Sequence, residues 1–284
     1  MNTTIVTRFA PSPTGYLHLG HAYSARFAQQ AAQQAGGRYL VRLEDIDPVR
    51  CRPDLAEAIL DDLAWLGLGG DGPVRRQSDH LAEYAAALGH LRGDGLLYPC
   101  FCTRKEIQAE ILRAGHAPQG PDGPLYPGLC RSLSEAERTD RIAAGQPHAW
   151  RLDMAAARHR LPPQGLSFVE AGERHRADPS RFGDVVLGRK DVPAAYHLAV
   201  VLDDAVQGVT LVTRGTDLLP AAHLHRLLQY LFKVPEPAYR HHPLLHDHAG
   251  RRLAKRDGAP SLRAMREAGL TPADLWAQID AWSG

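Results

Sequence analysis

The sequence predicts an α/β fold: a Rossmann-type parallel sheet, interrupted by an inserted subdomain and closed by a short α-helical C-terminal tail. Three observations predict it. Near the N-terminus, short apolar runs of strand length alternate with amphipathic runs of helix length, an order that favours parallel strands joined by crossover helices. That texture breaks between about residues 97 and 182, where three of the four cysteines gather among prolines and glycines with weak periodicity. Alternation then returns in "DVVLGRKDVPAAYHLAVVLDDAVQGVTLVTRG", from Asp184 to Gly215. The expected organisation is a first half-sheet over 1–96, an insert over 97–182, a second half over 183–240, and a basic loop with a helical tail over 241–284.

The elements follow in order. "TTIVTRFA" (Thr3 to Ala10) reads as a buried first strand, and "HAYSARFAQQAAQQAG" (His21 to Gly36) as a helix closed by Gly36-Gly37. "RYLVRLEDID" (Arg38 to Asp47) is a second strand with its charges gathered at the C-terminal end. Leu55, Ile59, Leu63 and Leu66 recur at helical spacing and predict a helix from Pro53 to Leu66. The tail from His241 is rich in histidine and arginine and ends in a short helical pattern.

The composition, 44% hydrophobic and 23% charged, is that of a packed globular chain. With 33 basic and 32 acidic residues, the net charge of +1 points to no partner class, although a local basic patch remains compatible with it. No run approaches roughly 18 apolar residues, so no membrane span is expected. "MNTTIVTRFAPSP" has no signal-peptide pattern and four unevenly placed cysteines do not make a disulfide framework. A cytoplasmic protein is the expectation.

One short stretch, "FAPSPTGYLHLGH" from Phe9 to His21, packs two prolines, two glycines and two histidines together. This stretch sits where a first strand would hand over to a helix, the place where open α/β sheets bind ligands. The helix N-terminus offers free N–H groups and a positive dipole end, both suited to phosphate. His18 and His21 lie three apart and share a helix face, and Gly20 between them removes a side chain. Taken alone, the pair also fits two satisfied polar residues at a helix start. A zinc pair of the HExxH kind would carry a glutamate that is absent here.

Four ordered motifs resolve the choice by resemblance. "PSPTGYLHLGH" resembles the HIGH signature of class I aminoacyl-tRNA synthetases, in the form used by the glutamyl and glutaminyl branch, with His18-Leu19-Gly20-His21 in its place. "RLEDID" is similar to that branch's second strand end, and "YHLAVVLDDAVQGVTLVTRGTDLL" (Tyr196 to Leu219) to its later catalytic half. "RRLAKRDGA" (Arg251 to Ala259) stands where the KMSKS signature belongs. The resemblance implies adenylation of an amino acid by ATP with Mg²⁺. It assigns His18, Gly20, His21 and Lys255 to ATP, with His18, His21 and Lys255 stabilising phosphate charge in the transition state. In the basic loop Arg252, Ala254 and Arg256 depart from the family pattern: the positive charge survives and the hydroxyls do not.

The same resemblance places Arg8 and Arg214 on the carboxylates of the amino acid, Glu44 on its ammonium, and Ser12 and Tyr196 on further hydrogen bonds. Two arginines and one acid suit glutamate, which carries two carboxylates and one ammonium, and an arginine fork matches a carboxylate. The bland counterparts are ion pairs at strand ends for Arg8 and Glu44 and a half-buried core position for Tyr196. Cys100, Cys102 and Cys130 supply three soft ligands for one tetrahedral Zn²⁺ of structural role. Family relatives carry zinc here, some with a tyrosine, which makes Tyr126 the expected fourth ligand; His116 or water are the alternatives. Cys51, isolated, is expected to hold no metal.

The glutamyl-tRNA synthetases of this branch carry a long anticodon-binding region, and here the sequence stops at Gly284. Such a core resembles the glutamyl-Q tRNA(Asp) synthetases, which activate glutamate without tRNA and pass it to queuosine at the wobble position of tRNA(Asp). Two other expectations stand beside it: a tRNA-charging core whose anticodon-binding part is a separate chain, and a non-catalytic RNA-binding paralogue. A monomer is expected, with Lys190, Arg251, Arg252 and Arg256 as candidate contacts to RNA phosphates.

Overall fold

Residues 4–113, 118–245 and 260–283 are described by the computed structural model. Strand β1 (Val6–Phe9) is buried at all four positions and feeds helix α1 (Leu19–Gln34). Ala22, Ala25, Ala28 and Ala32 form the buried stripe of α1, so the helix lies close against the sheet. Gly36, at φ +60°, ends it in the left-handed region, and a Cβ on Gly37 would sit 2.0 Å from the Ile5 carbonyl oxygen. The glycine pair thus turns the chain tightly into β2 (Arg38–Leu43), which runs parallel to β1 with Val6 opposite Arg38. Helix α2 (Pro53–Trp65) begins on a proline and leads to β3 (Arg75–Arg76), parallel to β2.

Helix α3 (Leu81–Gly93) and β4 (Leu97–Cys100) enter the insert. There follow α4 (Arg104–Arg113), the hairpin β5 (Gln119–Gly120) and β6 (Gly123–Pro124), α5 (Glu135–Ala143), β7 (Ala149–Leu152) and α6 (Met154–His159). A second hairpin, β8 (Ser167–Glu170) and β9 (Glu173–Arg176), closes the segment. The chain continues through β10 (Val186–Gly188), α7 (Tyr196–Val206), β11 (Leu211–Gly215), α8 (Ala221–Phe232) and β12 (Ala238–His242). Helices α9 (Leu262–Glu267) and α10 (Pro272–Ser283) form the tail.

Strands β1, β2 and β3 are parallel, as are β11, β12 and β8. The two sets meet between β1 and the start of β11, where Thr210 N donates to the Val6 carbonyl at 3.0 Å and Val6 N to Thr210 Oγ1 at 2.8 Å. The chain order jumps there, so the crevice beyond Phe9 and Gly215 is a topological switch point, the usual ligand site of such sheets. Strand pairing runs across both edges of the 97–182 segment. β10 pairs antiparallel with β7 of the insert, and β8 joins β12 through Tyr239 opposite Glu170. Local texture reports strand character but not the sheet that a strand enters.

The first strand is shorter than the apolar run, and α1 starts at Leu19 because His18 caps it. The charged Glu44 to Asp47 leave the sheet after Leu43. The tail returns to the opening motif: Leu262 N donates to the Leu17 carbonyl at 2.8 Å, and Ser261 pairs with His18 as an isolated bridge. Leu262, Leu275 and Ile279 join the core around α1 and α2. No described helix is long and apolar enough to cross a membrane.

Candidate active site

The N-terminus of α1 is capped by its own two histidines. His18 Nδ1 accepts from Gly20 N at 3.1 Å, and His21 Nδ1 accepts from His18 N at 3.3 Å, a reciprocal box with imidazoles in place of Ser and Glu. The rings are tilted, with centroids 3.8 Å apart. Because both Nδ1 atoms take a backbone proton, the neutral rings carry their own proton on Nε2. The helix end therefore presents two imidazole N–H donors beside its positive dipole end.

Beneath it lies a buried network of charges. Arg8 on β1 donates from Nε to Asp204 Oδ1 at 2.9 Å and from Nη1 to the Thr213 carbonyl at 3.1 Å. Arg42, fully buried on β2, reaches Asp204 at 2.8 Å and Glu44 at 3.2 Å. Asp203 accepts from Tyr84, Gln77 and Arg75 at 2.9, 2.7 and 2.8 Å. Charges this deep persist only when paired and hydrogen-bonded. Burial alone would raise the Asp204 carboxyl, but Arg8 and Arg42 outweigh it and hold it below the ordinary range. At Glu44 burial wins over the same arginines and the carboxyl is raised. Glu44 is thus an acid that an added ammonium would stabilise as its ion.

Arg214, near the end of β11, is 5% exposed. Its Nε donates to His241 Nε2 at 3.0 Å and its Nη1 lies 3.3 Å from His225 Nδ1, while Nη2 is buried without a partner. Arg8, Ser12, His21, Glu44, Tyr196 and Arg214 line one cavity of about 480 Å³ at the switch point. Thus six of the residues expected to serve substrate share one cavity. His18 and Gly20 stand outside its lining, at the mouth of α1. Burial raises the Tyr196 phenol, which keeps it a neutral donor. Lys255, with Arg251, Arg252 and Arg256, lies outside the described residues, as does His116.

The cysteines form a second constellation. The sulfurs of Cys100, Cys102 and Cys130 all lie within 4.8 Å of one another. Tyr126 Oη is 3.4 Å from both Cys100 and Cys102 and accepts from Cys130 N at 2.9 Å. A tetrahedron of zinc–sulfur bonds of about 2.3 Å has edges of about 3.8 Å, so three thiols and a phenol at this spacing suit the ion. The Arg151 guanidinium stacks 3.8 Å above the Tyr126 ring. Cys51 stands apart, its thiol 3.8 Å from the Glu44 carbonyl. Lys190 spends its ammonium on the Phe101 carbonyl at 2.8 Å.

Asp203, Asp204, His225 and His241 lie behind the cavity lining, as partners of Arg42, Arg8 and Arg214, and pattern reading did not single them out. Two adjacent acids inside the apolar run "HLAVVLDDAV" were the visible signal; the histidines had none.

Comparison with known proteins follows from this geometry. The family described as "tRNA synthetases class I (E and Q), catalytic domain" matches residues 4–279. A Rhodobacter capsulatus protein named glutamyl-Q tRNA(Asp) synthetase is 48% identical over 280 residues, covering 95% of this chain and 98% of its own. A Nocardia farcinica protein of the same name is 45% identical over 272 residues, 96% of this chain and 82% of its own. A solved glutamate tRNA ligase from Elizabethkingia meningosepticum, in complex with its amino acid, superposes with a TM-score of 0.75 at 28% identity. The match covers 90% of this chain and 53% of that one, so the chain spans about half the length of that ligase.

Proposed function

Because the chain belongs to the family of class I (E and Q) tRNA synthetase catalytic domains, ATP-dependent ligases, we propose that it activates L-glutamate to glutamyl-adenylate without tRNA and passes the glutamyl group to queuosine at the wobble position of tRNA(Asp). The observation that carries the first step is the single cavity in which Glu44, Arg8 and Arg214 converge below the α1 histidines. Its charges complement those of glutamate: an acid for the ammonium and two guanidinium groups for the carboxylates. The names of the Rhodobacter capsulatus and Nocardia farcinica relatives support the second step.

In this reading Arg214 takes the side-chain carboxylate, Arg8 assists the α-carboxylate, and Glu44 holds the ammonium. Ser12 and Tyr196 supply further hydrogen bonds. An oxygen of the α-carboxylate attacks the α-phosphorus of ATP, the bond to the β-phosphate oxygen breaks, and pyrophosphate leaves. The Nε2–H groups of His18 and His21 meet phosphate charge as it develops, Gly20 lets the nucleotide approach the helix, and Lys255 neutralises the leaving group. Mg²⁺ enters with ATP. Cys100, Cys102, Cys130 and Tyr126 would hold one Zn²⁺, which supplies a structural cross-link for the insert.

Glutamate-dependent ATP–pyrophosphate exchange in the absence of tRNA tests the first step, and faster exchange with glutamine would overturn the choice of amino acid. Transfer of labelled glutamate to queuosine-containing tRNA(Asp) tests the second. The expected label sits on the periodate-sensitive queuosine; label on the terminal ribose would instead make the chain a tRNA-charging core. RNA binding without any exchange would make it a non-catalytic RNA-binding protein.

A further inference from the structure

Arg8 and Arg214 line the cavity and Arg42 lies beneath it, and Arg8 and Arg42 are paired directly with Asp204. Arg214 is treated differently. Among the described residues no carboxylate pairs with it directly; its two hydrogen-bonding neighbours are the imidazoles of His241 and His225. A guanidinium has donors only and keeps its proton, so the ring nitrogens that face it must be bare acceptors. Each imidazole therefore carries its proton on the far side. His241 Nδ1–H points to Glu170 Oε2 at 2.6 Å. His225 Nε2–H points to His197 Nδ1 at 3.1 Å, and His197 Nε2–H to Asp122 Oδ2 at 3.1 Å. Both chains of hydrogen bonds run outward from Arg214 and end on a carboxylate that never touches it.

We propose that His225 and His241 are specificity-determining positioning residues: neutral spacers that fix Arg214 by two edges while keeping Asp122 and Glu170 from neutralising it. The guanidinium charge and the unpartnered Nη2 are thereby left for an anionic group of the amino-acid substrate. The assignment rests on the reading of Arg214 as the partner of the glutamate side chain. A carboxylate in the place of either ring would pair with Arg214 and compete with the substrate carboxylate. A neutral amide acceptor of the same reach would not.

Glutamine and glutamate side chains are close in shape and differ in charge, so paired variants separate charge from structure. His225→Gln is expected to leave the glutamate KM in pyrophosphate exchange within about threefold, whereas His225→Glu raises it at least about tenfold, the scale of one lost charged hydrogen bond. The ATP KM stays unchanged in both, and the glutamate-over-glutamine ratio of kcat/KM falls only in His225→Glu. His241→Gln and His241→Glu repeat the comparison from the other edge and carry the test if either His225 variant loses its melting transition. Equal effects of Gln and Glu, or no effect of Glu at either position, would overturn the proposal. Absence of glutamate activation by the wild-type protein would overturn the reading of Arg214 itself, and the proposal with it, which distinguishes that failure from the former.

Discussion

His18 and His21 each give one ring nitrogen to the backbone of the helix they begin, and so have a structural duty beside the chemical one proposed for them. The two separate by substitution. Asparagine is a strong N-cap, so His18→Asn keeps the bond to Gly20 N and is expected to leave the urea midpoint close to wild type. His18→Ala removes the cap and costs about 1 kcal/mol. Both remove the Nε2–H, so both are expected to lower pyrophosphate exchange at least about tenfold, about 1.4 kcal/mol of transition-state stabilisation. Undiminished exchange in His18→Asn would take the imidazole out of the chemistry. At this scale the sequence is legible where a role depends on near neighbours, as in the His-x-x-His spacing. It is silent where partners lie far apart: Arg8 meets Asp204 across 196 positions, and nothing local marks that acid as its mate. Arg8 and Glu44 are both ion-paired at strand ends and exposed to the cavity, so the bland and the functional expectations describe the same side chains.

Among elements, those around the cysteines bury little of their own. Helices α4 and α5 bury no residue, and α5 leans on a capping box between Ser134 and Glu137. The buried cluster at the cysteines is confined to Tyr98, Cys100, Phe101 and Cys130. Where apolar burial is this thin, a metal cross-link supplies the missing stability. Elemental analysis is expected to return about one zinc per chain, and chelation to open the segment from Cys102 to Arg138 to proteolysis before the rest of the chain is cut. Well under one zinc per chain would remove the ion from the account. The gathering of Cys100, Cys102 and Cys130 was legible because sulfur ligands recur at short spacing; the pairing of β8 with β12 was not. A four-residue strand carries no mark of the sheet it enters, so a change of texture along the chain says nothing of which partner a strand takes.

For the molecule as a whole, the buried histidines set its response to acid. Burial, reinforced by Arg214, holds the His225 imidazole well below 6.5 and that of His241 down to about 4. Burial also lowers His223 and His242. Below about pH 6.5 these rings bind protons more readily in the unfolded chain than in the folded one, for His241 down to about pH 4, so their contribution to stability grows as pH rises towards 6.5 and is lost as pH falls. Two carboxyls act the other way. Burial raises Asp62 to about 6 and also raises Glu44, so the folded chain holds protons there that the unfolded chain has released, and stability falls with rising pH on their account. Among the described residues, four histidines, joined by carboxyls held low such as Asp204 and Asp47, stand against two raised carboxyls, and a net rise is expected. The urea midpoint is expected to climb from pH 4.5 to 6.5, less steeply in His241→Gln and more steeply in Asp62→Asn. A slope that is unchanged in His241→Gln would mean that this ring is charged in the folded protein, contrary to the acceptor role that the Arg214 guanidinium demands of it.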